Sequence, residues 1–369
     1  MDIVAFSEVT KTYRGVKALD ALTLSVRADA LTVLCGPPQS GKSVLMRLLV
    51  GLEKAESGRI LVEGQDVTAL PPGARHIGYV PQSFALYPHL TVFENIAYPM
   101  RLQSAPKAEI ARKVERAVQL LSIGHLLQKR PEQLSGGEKQ RVAIARGLLK
   151  DARIFVLDDP LVGLDYKLRE RLMDDLQSMR RELGATFLYA TSDALEAMTM
   201  AEDIVVMDAG KVVEHAPVAR LYQQPHHLRS MELVGFPSCN MLQGEMAGNG
   251  ICHSLLGSVA LDAEAELPQR GARIVLGLRP EAITLTAAGP GTSLGNGTGT
   301  VRLVEDLGGE QVVYLDTAGL TLVTCLSVGQ GTVPAYGEEI AYRFDPASLI
   351  AFDAGSGRRL GRGKEIVHA

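Results

Sequence analysis

The 369-residue sequence has no tryptophan, few aromatic residues (5%) and four cysteines. The cysteines form no CxxC pair and are widely separated, at Cys35, Cys239, Cys252 and Cys325. This spacing predicts neither a metal site nor a disulfide framework, and it fits a reducing compartment. An excess of basic charge is also missing, because 38 Lys and Arg residues face 42 Asp and Glu residues. We therefore do not expect a strongly basic nucleic-acid-binding protein.

Long hydrophobic runs are absent as well, since no stretch approaches the ~20 apolar residues that a membrane-spanning helix needs. The N-terminal segment carries Asp2 and Glu8 and lacks the apolar core of a signal peptide. Any role at a membrane is therefore expected to be peripheral. What is present is a globular composition, with 46% hydrophobic and 22% charged residues, and a length that suggests two or three domains.

The first 235 residues alternate short apolar runs with helical patterns, which is typical of an α/β domain. Residues 31–35, 154–157 and 204–207 are continuous apolar runs that predict buried parallel strands. Residues 167–183 place apolar side chains on one face of a predicted helix. We therefore predict a first domain over residues 1–235.

Residues 236–369 differ in character, because glycine and β-branched residues increase and long helical patterns disappear. Short strands are predicted at 273–278, 301–303 and 311–315, and a Gly/Thr/Ser-rich loop at 287–300. The pattern predicts a second, all-β domain that forms a small barrel.

A phosphate-binding motif lies at Gly36–Ser43, which matches GxxxxGK[ST] between a predicted strand and a predicted helix. The backbone N–H groups of such a loop surround phosphates, and Lys42 can reach the β- and γ-phosphates. The Ser43 hydroxyl can bind Mg²⁺. The alternative is a glycine-rich turn that only caps a helix.

A strand that ends in carboxylates, Ile154–Asp159, is the expected partner of this loop. Asp158 is predicted to hold Mg²⁺ through water, and Asp159 to orient or deprotonate the attacking water. An exposed acidic turn is the alternative, which the pairing with the phosphate loop disfavours.

A third motif, Leu134–Arg146, begins with a Ser135–Glu138 capping box at a predicted helix N-terminus. Gly136 and Gly137 would let another molecule approach that N-terminus, whose free N–H groups suit a phosphate. Taken alone, the motif is also compatible with a simple well-capped helix.

Together the three motifs closely resemble the ATP-binding subunits of ABC transporters, over essentially the whole chain. The resemblance implies a P-loop α/β fold with a helical subdomain at about 84–150, and it implies ATP and Mg²⁺ as cofactors. Gln82 corresponds to a glutamine that contacts Mg²⁺ and links to the membrane subunits, and Asp165 belongs to a loop (161–165) that crosses the dimer interface.

The resemblance also assigns the site residues. The positions that contact nucleotide, with the aromatic one stacking on adenine, are Tyr13, Val16, Gly36, Pro37, Pro38, Gln39, Ser40, Gly41, Lys42, Ser43 and Val44. The catalytic positions are Lys42, Gln82, Asp159 and Ser192. The metal-binding positions are Ser43, Gln82 and Asp158. The signature residues that contact the ATP of the other subunit are Ser135, Gly136, Gly137 and Gln140.

Residues 84–96, 196–200 and 278–281 are similar to the sugar and polyol importer ATPases, which include the maltose and glycerol-3-phosphate importers. In these, residues corresponding to 236–369 form an OB-like (TOBE) regulatory domain. The resemblance implies a second ATPase subunit, two transmembrane permease subunits and an external substrate-binding protein, with no nucleic acid. It places the chain peripherally on the cytoplasmic face of the cell membrane, and it leaves the transported substrate open.

Four departures from the family pattern concern the chain's own ATP. Asp159 replaces a glutamate, and Ser192 replaces the switch-loop histidine, so that no histidine lies between His125 and His215. In the phosphate loop, Pro38 and Gln39 replace Ser and Gly, and the dimer-crossing loop has Val162–Gly163 in place of a polar-small pair. A carboxylate withdrawn by about 1 Å can cost ~100-fold in rate. A missing transition-state donor typically costs ~10²–10³-fold.

Because the signature is intact while the chain's own site is altered, we expect a heterodimer in which a second, intact ATPase uses this signature. Glycerol-type importers with two different ATPase subunits are the nearest arrangement. The alternatives are a homodimer with slowed turnover and a non-hydrolytic allosteric subunit. A soluble ABC protein of translation or DNA repair is disfavoured, because a second cassette and a long coiled-coil insertion are both missing.

Overall fold

The computed structural model describes residues 2–150, 152–286, 296–327 and 333–367. The chain divides into two compact units, residues 1–218 and 219–369, each described here by itself. No helix of the described residues is both long and apolar enough to cross a membrane.

The first unit contains sixteen α-helices and β-strands among its described residues. In chain order they are β1 (Asp2–Tyr13), β2 (Val16–Arg27), β3 (Leu31–Cys35), α1 (Lys42–Val50), β4 (Ser57–Val62), β5 (Gln65–Asp66), β6 (Ile77–Val80), α2 (Val92–Leu102), α3 (Lys107–Leu120), α4 (Gly136–Leu148), β7 (Ile154–Asp158), α5 (Tyr166–Leu183), β8 (Thr186–Thr191), α6 (Ala194–Met200), β9 (Asp203–Asp208) and β10 (Lys211–Pro217).

A six-stranded sheet in the order β10-β9-β3-β8-β7-β6 forms the centre of this unit. All neighbouring pairs are parallel except β10 with β9. Every residue of β3, β7 and β8 is buried, as expected of strands covered on both faces. The strands predicted at 31–35, 154–157 and 204–207 are confirmed. The carboxyl ends of these parallel strands form one edge, where ligands bind in open α/β sheets.

A second, antiparallel sheet in the order β2-β1-β4-β5 belongs to the same unit. Its apolar residues share one core with α1 and the central sheet, including Phe6, Leu24, Leu45 and Ile60. The helical subdomain expected at about 84–150 corresponds to α2, α3 and α4.

The second unit contains mostly strands. In chain order its elements, starting from a helix that spans the division between the units, are α7 (Val218–Gln223), α8 (Leu228–Leu233), β11 (Asn240–Gly248), β12 (Ile251–Ser254), β13 (Gly257–Ala263), β14 (Arg273–Leu278), β15 (Ile283–Thr286), β16 (Asn296–Asp306), β17 (Glu310–Thr317), β18 (Leu320–Ser327), β19 (Glu339–Phe344), β20 (Ile350–Asp353) and β21 (Arg359–Val367). Six strands close a barrel, β11-β12-β13-β21-β20-β14, which confirms the predicted small barrel. The remaining strands form a sheet in the order β15-β19-β16-β17-β18.

The loop predicted at 287–300 is partly wrong. Residues 287–295 lie outside the described residues, but β16 already begins at Asn296. The glycines there are strand residues, because Gly297 pairs with Tyr342 of β19 and a Cβ on it would lie 2.5 Å from that ring. Gly297 therefore lies where β16 approaches the Tyr342 side chain closely. Composition alone predicted a loop for this segment.

Candidate nucleotide site

The phosphate loop joins β3 to α1, and its lysine lies inside the loop. Lys42 is buried, and its Nζ donates hydrogen bonds to the carbonyl oxygens of Gly36 (2.7 Å) and Pro37 (2.9 Å). It also lies 3.3 Å from the Ser40 hydroxyl. Burial lowers the pKa of the Lys42 ammonium. The ammonium group of Lys42 therefore lies enclosed by the backbone of the phosphate loop.

The backbone of this loop explains which glycines it needs. A Cβ on Gly36 would lie 2.2 Å from the carbonyl oxygen of Met207, so no larger residue fits there. Gly41, with φ 102°, precedes α1, and a Cβ on it would lie 2.6 Å from the carbonyl oxygen of Ala18. Gln39 has φ 67°, a left-handed conformation that favours glycine. The replacement of glycine by Gln39 thus falls at a residue where the loop shape itself favours glycine.

Asp158, the last residue of β7, lies against the start of α1. The Ser43 hydroxyl donates to Asp158 Oδ1 at 2.7 Å, and the Tyr79 hydroxyl donates to Oδ2 at 3.3 Å. Gln82 lines the same cavity. Hydroxyl, carboxylate and amide oxygens are the donors that Mg²⁺ prefers, so these three residues fit a magnesium ion beside a phosphate.

Asp159 follows at the end of the strand in a left-handed conformation, with φ 49°. Its backbone N–H donates to the carbonyl oxygen of Ala190 on β8, 3.0 Å away. Burial raises the pKa of the Asp159 carboxyl, and the neighbouring charge of Asp158 raises it further. Asp159 is therefore held at the carboxyl edge of the sheet as a carboxyl that is harder to ionise than a free aspartate.

The switch loop between β8 and α6 consists of two residues, Ser192 and Asp193. Asp193 caps α6 by accepting the N–H of Glu196 at 3.0 Å, and it pairs with Arg169 of α5 at 2.8 Å. Below the loop, Glu196 is buried and accepts hydrogen bonds from the Tyr189 and Thr191 hydroxyls. The loop is thus fixed on both sides, although its first residue is only a serine.

These segments surround one cavity of about 880 Å³. Most of the predicted site residues line it: Tyr13, Val16, Pro38, Gln39, Ser40, Gly41, Lys42, Ser43, Val44, Gln82, Asp158, Asp159 and Ser192. Gly36 and Pro37 are not in its lining and instead bond Lys42 from behind.

The cavity also includes three residues that the sequence motifs did not indicate, Lys17, Ala18 and Arg47. Val162 of the dimer-crossing loop lines it as well. Helical spacing could have found Arg47, because it lies one turn after Ser43 on α1. Arg47 pairs with Glu53 at 2.6 Å, and the Tyr13 hydroxyl also bonds Glu53. These contacts through Glu53 orient the exposed Tyr13 ring beside the cavity.

The signature segment belongs to α4, which contributes no residue to the lining of this cavity. Ser135 is the N-cap, its hydroxyl accepts the N–H of Glu138 at 3.3 Å, and the Glu138 carboxylate accepts the N–H of Ser135 at 2.7 Å. The predicted capping box is confirmed. Ser135 and Gly136 are exposed, whereas Gly137 and Gln140 are buried in their own unit.

The two signature glycines meet different surroundings. A Cβ on Gly136 would meet nothing within 4 Å, so its surface is open to another molecule. A Cβ on Gly137 would lie 2.2 Å from Leu168 of α5. The second glycine therefore serves packing within this chain, which the motif alone did not indicate. Asp165 is the N-cap of α5 and accepts the N–H of Leu168 at 3.0 Å.

The fold and the site define a P-loop nucleotide-binding unit followed by an all-β unit. Residues 19–162 match the family model described as ABC transporter, and residues 276–352 match the TOBE domain. The sn-glycerol-3-phosphate import ATP-binding protein UgpC of Bordetella pertussis is 38% identical over 318 residues, 85% of this chain and 86% of that protein. The Yersinia enterocolitica protein of that name is 34% identical over 362 residues, 98% and 99% of the two chains.

Solved structures agree for the first unit. A dimeric, post-hydrolysis ATP-binding cassette bound to ADP and Pi matches with 29% identity and a TM-score of 0.55, covering 58% of this chain and 98% of the other. The chain belongs to the family of ABC transporter ATP-binding proteins with a C-terminal TOBE domain, and it is an ABC-type ATPase.

Proposed function

We propose that this chain is the ATP-binding subunit of an importer for glycerol-3-phosphate or a closely related sugar or polyol. The observation that carries the proposal is the similarity to sn-glycerol-3-phosphate import ATP-binding proteins along 98% of the chain. In this role it works at the cytoplasmic face of the cell membrane with two permease subunits. An external binding protein supplies the substrate to them.

In the proposed complex the 880 Å³ cavity holds ATP, with Tyr13 stacked on adenine and the loop from Gly36 to Ser43 around the phosphates. Lys42 reaches the terminal phosphates from its position inside the loop. Ser43, Asp158 and Gln82 hold Mg²⁺, which neutralises phosphate charge when bound. Nucleotide binding is proposed to survive the replacements at Pro38 and Gln39, because Gly36, Gly41, Lys42, Ser43 and Asp158 are all present.

Hydrolysis at this site is proposed to be slow. The carboxylate of Asp159 ends one methylene short of a glutamate, which withdraws it from the attacking water by about 1 Å. Ser192 cannot reach a γ-phosphate as an imidazole does. The two losses affect one group of reacting atoms, so their costs do not add.

The second ATPase of the importer is proposed to be a different, intact subunit. Its support is the contrast between an altered cavity and an open, fully capped signature at Ser135 and Gly136. In this arrangement the chain holds ATP in its own site and completes the site of its partner. A homodimer with slowed turnover and a purely allosteric, non-hydrolytic subunit are the two competing arrangements.

Uptake in cells tests the transport role. Deleting the gene in its source cell should abolish uptake of radiolabelled sn-glycerol-3-phosphate or of one related polyol, and leave unrelated solutes unaffected. Wild-type protein should restore uptake, and Lys42→Ala should not. Unchanged uptake of every tested sugar and glycerol derivative would contradict the proposed role, even if the purified chain binds ATP.

A further inference from the structure

Two cations at the C-terminal end of α4 hold the segment that contains Gln82, one at the start of β6 and one in the loop beyond Gln82. Lys150, just after α4, donates from Nζ to the carbonyl oxygen of Ile77 at 2.8 Å, where β6 begins. Arg146 of α4 donates from Nη2 to Phe84 O (2.7 Å) and from Nη1 to Ala85 O (2.5 Å), just beyond Gln82.

Helix and strand also pack without a gap between these two contacts. A Cβ on Gly147 would lie 2.5 Å from Val80 Cγ2 and 3.1 Å from the carbonyl oxygen of Tyr79. The backbone of α4 therefore touches β6 directly, and such close packing leaves little freedom for one to move without the other.

The segment that Arg146 binds has an unusual backbone conformation with one internal hydrogen bond, from the Ala85 N–H to the carbonyl oxygen of Ser83. Phe84 and Ala85 are consecutive non-glycine residues in the left-handed region, with φ 58° and φ 48°. A non-glycine residue in this conformation is strained and persists only where its surroundings fix it. The Arg146 guanidinium fixes this segment through two charge-assisted hydrogen bonds and lies 5.6 Å from the Tyr87 ring centroid.

The far half of the same loop has a separate anchor. Asn95 of α2 is fully buried, and its Oδ1 accepts the N–H of Tyr87 at 2.8 Å. Its Nδ2 donates to the carbonyl oxygens of Tyr87, Leu90 and Thr91. Asn95 thus fixes the loop from Tyr87 onwards, whereas the residues next to Gln82 depend on Arg146.

We propose that Arg146 is a positioning residue that holds Gln82 at the nucleotide cavity from the signature helix. Two parallel donors on one planar guanidinium fix both the place and the direction of the backbone that follows Gln82. The inference rests on the proposed role of Gln82 toward Mg²⁺. The same contacts join α4 and the Gln82 loop into one packed unit. In the proposed dimer, the start of α4 serves the neighbouring subunit, and the Gln82 loop serves this chain's own site.

The test compares ATP binding in the presence of Mg²⁺ with binding in EDTA, for the full-length chain. Arg146→Ala should raise the Kd for Mg-ATP about ten-fold, as losses of supporting contacts to metal ligands do. The Kd for metal-free ATP should change by less than about two-fold, because the phosphate loop and Tyr13 are untouched. Arg146→Lys keeps the charge but loses the paired donors, so its Kd for Mg-ATP should lie between those of wild type and Arg146→Ala.

Arg141 is the matched control on the same helix. Its Nη1 donates to Leu121 O at 2.7 Å and pairs with Asp175 at 3.2 Å, away from the Gln82 loop. Arg141→Lys should leave the ratio of the two Kd values unchanged. An equal ratio in wild type and Arg146→Ala, or the same change in Arg141→Lys, would overturn the proposal.

Hydrogen exchange and a Gln82→Ala variant test the proposal further. If Arg146→Ala fails to fold, Arg146→Lys is compared with Arg141→Lys by hydrogen exchange of the amides at 83–86. Faster exchange in Arg146→Lys alone is the expected result, and equal exchange contradicts it. Gln82→Ala should reproduce the selective loss of Mg-ATP affinity. If it does not, the metal role of Gln82 fails, while the exchange comparison still decides whether Arg146 holds the loop.

Discussion

The two functional faces of the first unit differ in how well their residues suit ATP chemistry. On the cavity side, Gln39 and Asp159 occupy left-handed conformations, and Ser192 is the first residue of a switch loop whose second residue, Asp193, caps α6. On the signature side, Ser135 completes a capping box and Gly136 leaves the helix N-terminus open. The backbone framework is complete on both faces, whereas the departures expected from the family pattern fall on the cavity side. In the proposed heterodimer, the two faces serve different ATP molecules.

Restoring the altered face gives the largest expected effect. The double variant Asp159→Glu/Ser192→His should hydrolyse ATP about 100-fold faster than wild type, because it regains a longer carboxylate and one transition-state donor. Steady-state phosphate release measures the effect. Asp159→Gln/Ser192→His is the matched control that adds length without a base, and it should stay at the wild-type rate.

A mixing experiment separates the two faces within this one chain. One component is the double variant that also carries Ser135→Arg, so that its cavity is restored and its signature is blocked. The second component is the wild-type chain, with an intact signature and an altered cavity. Each alone should be slow, and the 1:1 mixture should be at least about ten-fold faster than either, since one complete site forms. A mixture no faster than the sum of its parts would show that the signature does not act on a neighbouring subunit.

The two signature glycines provide a smaller effect, on stability. Gly137→Ala puts a Cβ 2.2 Å from Leu168 Cδ2, so the end of that side chain must turn aside, and the variant should lower the free energy of unfolding by about 0.5–1 kcal/mol. Gly136→Ala meets open space and should change it by less than about 0.5 kcal/mol. Urea unfolding of both variants measures the difference. Equal losses would mean that the packing between α4 and α5 does not require the second glycine.

The smallest expected effect is the contribution of the buried Glu196 to the pH dependence of stability. Burial raises the pKa of its carboxyl, so the folded state binds the proton more tightly than the unfolded state. Stability therefore falls as the pH rises from the unfolded pKa through the folded pKa, and it is level above that. Glu196→Gln removes this contribution, so the variant should gain stability relative to wild type as the pH rises through that window. A stability difference between variant and wild type that stays constant across the window would contradict it.

The sequence predicted the first unit well wherever a local pattern determined the structure. Strand β3, the phosphate loop and the Ser135 capping box each depend on neighbouring residues, so spacing alone identified them. What it missed depends on contacts distant in sequence. Leu168 explains Gly137, Tyr342 explains the glycine at the start of β16, and Arg146 fixes carbonyl oxygens some sixty residues earlier. No local pattern records such contacts.

Hydrolysis by the purified wild-type chain tests the central claim most directly. Typical enzymes turn over at about 10 s⁻¹, and a loss of one positioned group costs ~10²–10³-fold. We expect the chain alone to bind Mg-ATP but to turn over below about 0.1 s⁻¹, with Asp159→Asn lowering that rate only slightly. A wild-type rate near about 10 s⁻¹ that Asp159→Asn abolishes would show a competent site and contradict the account.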